Sequence, residues 1–401
     1  MAIPRTRPGN YPAFLSYGFR PFFLLAALQA AGAILLWIPL LYGQLETRSA
    51  LAPLDWHIHE MLFGYLAAVV TGFLLTAIPN WTGRLPVQGL PLLGLVLLWV
   101  AGRVAVFLSA DIGWLLAAAV DCAFLLAVGL AAAVEIVAGR NWRNLKVLVP
   151  VGVLIAANVA FHLEAHLSGL SDISRRLGIG AAIVLIMIIG GRIIPSFTRN
   201  WLVRENPGWL PAPFGRFDIA SIAVSAAALA AWAFVPEGTG TGIALTVAAL
   251  FNVVRLGRWA GHRTLRDGLV LVLHVSYAFV PVGLLLAGLT ALEGETVPQA
   301  AAVHTFGVGA IGCMTLAVMT RATLGHTGRQ LRAGGGTVAI YAAIILSALL
   351  RITAAFGPGQ EALVHASAGL WAAAFFTYAA LYGGMLLRPR LKPRQPNRVP
   401  A

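Results

Sequence analysis

The feature that most limits what this chain can fold into is a succession of twelve apolar runs. They lie at approximately 22–41, 56–78, 89–109, 112–138, 145–168, 176–194, 218–235, 241–257, 267–292, 297–320, 336–356 and 361–387. A helix needs about 20 residues to cross a hydrocarbon core about 30 Å thick. Most of the runs meet that length, and 241–257 is the shortest. A water-facing body is excluded by what is left over. Of 401 residues, 59% are hydrophobic and 11% charged, against about 25% charged in soluble domains. Too little polar surface remains to cover a core of that size. The sequence therefore predicts an all-α polytopic membrane protein of about twelve transmembrane helices. Residues 1–21 form an N-terminal segment, 22–387 one transmembrane domain, and 388–401 a basic tail.

Charge orients the runs. The net charge is +13, which in a soluble protein would suggest nucleic acid. Here the cations sit in short loops, with no basic patch interleaved with aromatics, so no nucleic-acid partner is expected. Alternate loops differ sharply. One side carries Arg5, Arg7, Arg84, Arg140, Arg143, Lys146, Arg199, Arg204, Arg216, Arg255, Arg258, Arg263, Arg266, Arg329, Arg332 and the tail from Arg388. The other carries Arg48, Arg175, Arg176 and Arg351, with Glu46, Asp55, Asp111, Asp172, Glu237, Glu293, Glu295 and Glu361. By the positive-inside rule both termini are expected in the cytoplasm. No small-residue cleavage site follows the first run, so it reads as a helix that stays. Cys122 and Cys313 lie within apolar runs and form no CxxC motif, which argues against a disulfide framework or a thiolate zinc site.

Three helix exits echo one another. The second run ends in Pro79-Asn-Trp-Thr-Gly-Arg84, the sixth in Arg192-Ile-Ile-Pro195-Ser-Phe-Thr-Arg199, and the tenth in Thr320-Arg-Ala-Thr-Leu-Gly-His326. They leave on the same side, four helices apart, as expected of three four-helix units.

Ionisable groups inside a bilayer are costly, so each demands a reason. Six of nine histidines are expected near the outer level: His57, His59, His162, His166, His304 and His365. Imidazole is the commonest biological ligand for iron, copper and zinc, so all six are candidate metal ligands. His162 and His166, four apart, share a helix face. Glu164 between them is a candidate proton relay. His57 and His59, two apart, point to nearly opposite sides, which favours two sites. Met61, four from His57, supplies a thioether that suits copper. One imidazole from the second helix, His57 or His59, with His304 of the tenth is the expected axial pair for a haem iron. Phe63, Phe161 and Phe306 are candidate walls for its slot. Arg103, Arg175 and Arg176 are candidate partners for its carboxylates. Glu60, Glu164 and Asp121 are candidate proton-transfer residues.

The segments Ser16-Tyr-Gly-Phe-Arg20-Pro-Phe-Phe23, Trp56-His-Ile-His-Glu-Met-Leu-Phe-Gly64, Pro79-Asn-Trp-Thr-Gly-Arg84, Gly191-Arg-Ile-Ile-Pro-Ser-Phe-Thr-Arg-Asn200 and Met319-Thr-Arg-Ala-Thr-Leu-Gly-His-Thr-Gly-Arg329 strongly resemble the NnrS family. The resemblance implies a bacterial inner-membrane protein that contains haem b and copper and acts in the response to nitric oxide. It supplies no ligand list. A looser likeness is to the catalytic subunits of haem–copper oxidases and nitric oxide reductases, with three four-helix arcs and haem histidines on the second and tenth helices. This chain departs from them: its sixth and seventh helices carry no histidine, and its tenth carries one. The expected function is binding, with reduction or other removal, of nitric oxide, fed by an electron donor. The alternatives are a secondary transporter and a haem or copper delivery protein.

Overall fold

The computed structural model describes residues 10–293, 296–357 and 359–391. Arg5, Arg7, Glu295 and the tail from residue 392 lie outside them. Twelve helices are long and apolar enough to cross a membrane: α1 Phe19–Leu41, α2 Pro53–Thr82, α3 Leu90–Phe107, α4 Trp114–Ala138, α5 Trp142–Ser168, α6 Ile173–Glu205, α7 Arg216–Phe234, α8 Thr239–Arg263, α9 Gly268–Leu292, α10 Gln299–His326, α11 Gly335–Phe356 and α12 Glu361–Leu387. There is no strand among the described residues. In lipid, a helix satisfies its own backbone donors and acceptors, so a chain this apolar has little other choice.

Neighbour packing groups the helices into three arcs. α11, α12, α1 and α2 pack in that order, as do α3 to α6 and α7 to α10. The last helix of each arc turns inward. α6 packs against both α2 and α10, and α2 and α10 are joined by a hydrogen bond between Tyr65 and Thr315. Within their apolar windows, α2, α6 and α10 are 78%, 67% and 72% buried; only α9, at 67%, matches them, and the rest are at 33–44%. Close approach at this centre requires small residues. A Cβ on Gly178 of α6 would lie 3.2 Å from Leu62 Cδ1 of α2.

Two helices are locally rewound. α2 changes to π-helix over Glu60–Leu66, and α10 does the same over Thr305–Gly312. Each π segment starts directly after a histidine, His59 or His304. Such wide turns leave backbone groups in need of partners and are frequent at functional sites. Here the carbonyl of Gly64 accepts from Trp99 Nε1 at 3.0 Å. The start of α2 is pinned by Asp55, which accepts from Ser171 Oγ at 2.5 Å across the bundle.

One cation of the basic side sits in the core. Arg255, read from sequence among the charges of the basic side, lies within α8 and is fully buried. It donates to Asp218 Oδ1 of α7 at 2.9 Å, to Tyr277 Oη of α9 at 2.9 Å and to the Met187 carbonyl of α6 at 3.2 Å. The run 241–257 already contained Arg255, but an apolar run does not say which neighbouring helices its charge will meet. A guanidinium is tolerated there because its donors find acceptors. Arg199 and Arg204 likewise lie on the last turns of α6.

Candidate metal and cofactor sites

The α-helical turn preceding the first π segment sends His57 and His59 in different directions, and each reaches a distinct site. His59 is fully buried in a polar network built from five helices. Its Nδ1 lies 3.3 Å from Glu60 Oε1; its Nε2 lies 3.2 Å from Asp121 Oδ2 of α4 and 3.2 Å from Asn158 Oδ1 of α5. His162 Nε2 of α5 is 3.2 Å from the same Asp121 Oδ2, which also accepts from Asn158 Nδ2 at 2.9 Å. Arg103 of α3 donates to Glu60 Oε1 at 2.5 Å and pairs with Asp121 Oδ1. Gln29 of α1 holds the other oxygen of Glu60. Gly64 makes room for the guanidinium, since a Cβ there would lie 2.9 Å from Arg103 Nη1.

The donor chemistry of this network suits a cation. One ligand atom each from His59, Asp121 and His162 lies within 4.8 Å of the others. Both ring nitrogens of His59 face oxygen acceptors. They are satisfied when each carries a proton, or when a metal ion replaces the proton on Nε2. Two carboxylates against one guanidinium leave one negative charge to be balanced in a medium where an unpaired charge is expensive.

His57 faces the other way, into an apolar cavity of about 860 Å³ among α1, α2, α6, α10, α11 and α12. Its ring stacks on Trp37 at 4.5 Å between centroids and 13° between planes, and its Nδ1 is buried with no hydrogen-bond partner. His304 lines the same cavity, together with Met61, Tyr65, Arg351 and Trp371. His304 Nδ1 bonds the Ala300 carbonyl at 2.7 Å. This fixes the ring and leaves Nε2 as the acceptor nitrogen, the usual preparation of a metal-ligating imidazole.

Residues 13–390 match the family model described as NnrS protein. The chain belongs to the NnrS family. No curated protein matches it.

Within this NnrS-family chain, the remaining sequence candidates fall elsewhere. His166 is exposed and stacks on Trp114 at 4.0 Å, so the structure does not bring it onto a common ligand set with His162. His365 is exposed, bonds the Glu361 carbonyl at 2.8 Å and stacks on Tyr42. Glu164 is not in the polar network. It closes the N-terminus of α6, accepting from the backbone of Asp172 at 3.1 Å, Ile173 at 3.2 Å and Ser174 at 2.9 Å. Those backbone donors lack helical partners, so a carboxylate there is spent on structure.

The arginines are redistributed as well. Arg103 serves the buried carboxylates. Arg175 and Arg176 grip Asp172 at 2.7 and 2.6 Å, and the hydrogen bond from Arg176 holds that carboxyl below its usual range. The cation of the NnrS cavity is Arg351 of α11, which the sequence placed only on the outer side. Phe63 and Phe161 pack on the ring of His59, at 5.3 and 5.4 Å, while Phe306 packs against Trp232. The cavity walls are Trp37, Met61 and Trp371 instead. Gln29 and Trp37 were missed because a single polar or aromatic residue in an apolar run carries no spacing signal; Arg351, a lone charge ending such a run, did carry one.

Proposed function

We propose that this protein is a bacterial inner-membrane metalloprotein that holds haem b in the His57–His304 cavity, binds nitric oxide there, and removes it, with electrons from a membrane donor. The single observation that carries the reading is that His57 and His304, from helices far apart in sequence, line one apolar cavity beside the two π segments. The family supplies the link to nitric oxide. The cavity's apolar lining suits a flat macrocycle, and Arg351 suits a carboxylate.

Each residue has a role on this reading. His304, anchored through Nδ1, would hold the haem iron, and His57, stacked on Trp37 with its Nδ1 unbonded, would be the second imidazole, the one that yields its place to the gas. His59, Asp121 and His162 would hold a second metal ion, copper being the choice that the family suggests and imidazole accommodates. When bound, the haem supplies a redox-active iron with affinity for small gases. Glu60 shares Oε1 with both His59 and Arg103, so it is the residue best placed to pass protons between the buried network and its surroundings. Asp121, which lies between both imidazoles, would hold the second metal ion together with them.

The test is an optical spectrum of the purified, reduced protein with and without nitric oxide. A b-type haem band that shifts on adding the gas is expected. A wild-type protein purified with haem supplementation that shows no such band overturns the proposal.

A further inference from the structure

The three echoing helix exits meet in one place that neither proposed metal site uses. At the basic end of the bundle, the exits of α2, α6 and α10 enclose a cavity of about 920 Å³. Among its lining residues are Arg192 and Arg321, and none is Asp or Glu. Arg192 Nη1 donates to Asn144 Oδ1 at 2.7 Å, but its Nη2 is buried with no partner. The guanidinium of Arg321 lies 4.0 Å over the ring of Phe197, which lines the same cavity. Arg321 has no ion pair among the described residues. Asp267 lies outside the cavity lining, where it caps α9 through Val270 N at 3.0 Å.

Two guanidiniums with no carboxylate on a largely apolar cavity call for an anion from elsewhere. The cavity also continues inward. An apolar crevice of about 590 Å³ between α2, α6 and α10 shares Phe73, Ile189, Ile193 and Val318 with it. A free inorganic ion would use only the arginines. An amphiphile uses both parts.

We propose that this cavity binds an anionic phospholipid, with the phosphate between Arg192 and Arg321 and an acyl chain in the crevice beyond Phe73. Basic pockets between helices at the charged face of a membrane protein are suited to such headgroups. The site stands on its own residues and does not depend on the haem or metal reading. It also gives the echoed motifs a common role, since each supplies part of one wall, through Asn80 and Trp81, Arg192 and Phe197, and Arg321 and His326.

The experiment is native mass spectrometry of the full chain in detergent, titrated with phosphatidylglycerol and with phosphatidylcholine of the same acyl chains. Inorganic phosphate, glycerol 3-phosphate and phosphatidylglycerol are compared in parallel by thermal shift. The wild type should retain one phosphatidylglycerol in preference to phosphatidylcholine. Arg192→Gln and Arg321→Gln should each weaken retention by about fivefold or more, and Arg321→Lys should retain most of it. Equal retention of the two lipids by the wild type overturns the proposal, and this arm needs no variant to fold. Unchanged retention in both glutamine variants overturns it too. Stabilisation by inorganic phosphate or glycerol 3-phosphate as large as that by phosphatidylglycerol overturns the lipid assignment in favour of a free anion.

Discussion

His57 and His59, two positions apart on α2, serve different sites: His57 lines the apolar cavity with His304, while His59 Nε2 lies 3.2 Å from Asp121 Oδ2 in the buried network. A helix turns about 100° per residue, so positions i and i+2 face nearly opposite sides. The π segment begins only after His59 and so does not bring the pair together.

This separation predicts a spectroscopic split. On the proposed function, His304→Ala and His57→Ala should each lose or distort a haem band, whereas His59→Ala should leave it in place and lower the content of a second metal. Optical spectra and elemental analysis of the same preparations read both. An unchanged band in His57→Ala and His304→Ala would remove the axial assignment.

Among the described residues, Arg103 is the sole guanidinium paired with Glu60 and Asp121. Arg103→Gln leaves two buried carboxylates facing His59 with one charge fewer to balance them. Breaking a buried ion pair from one side costs about 3–5 kcal/mol, so this variant should yield little monodisperse protein in fluorescence-detected size exclusion. Arg103→Lys, which restores the charge without the fork, should recover part of it.

Glu164 separates a structural from a chemical role. Losing a carboxylate that caps a helix N-terminus costs about 0.5–2 kcal/mol. Glu164→Gln should therefore lower the Tm modestly and, on the proposed function, leave haem content and nitric oxide consumption at wild-type levels. A collapse of consumption in a fully loaded, folded Glu164→Gln protein would return Glu164 to the proton path.

Gly191 lies against the guanidinium of Arg255, where a Cβ would overlap it. Gly191→Ala should push Arg255 off Asp218 and destabilise the fold by about 1–3 kcal/mol, the usual range for overpacking a filled core. Thermal unfolding in detergent measures it. Gly190→Ala is the matched control, because a Cβ there meets its nearest neighbour, Ile194, at an ordinary 3.5 Å.

Twelve spans, their even spacing and the charge contrast between alternate loops were legible in the sequence, because the bilayer imposes length and polarity on each segment separately. The division of His57 from His59 was legible for the same local reason, since helical geometry acts over two residues. Partnership between helices was not. Whether His162 met His166 or His59, whether Glu164 carried protons or capped α6, and that Arg255 was a core residue while Arg351 faced the cavity all depended on which helix lay next to which. Periodicity describes a helix's faces but not what they touch. Only the packing of α2, α6 and α10 at the centre, permitted by small residues and rewound at two π segments, decided those contacts.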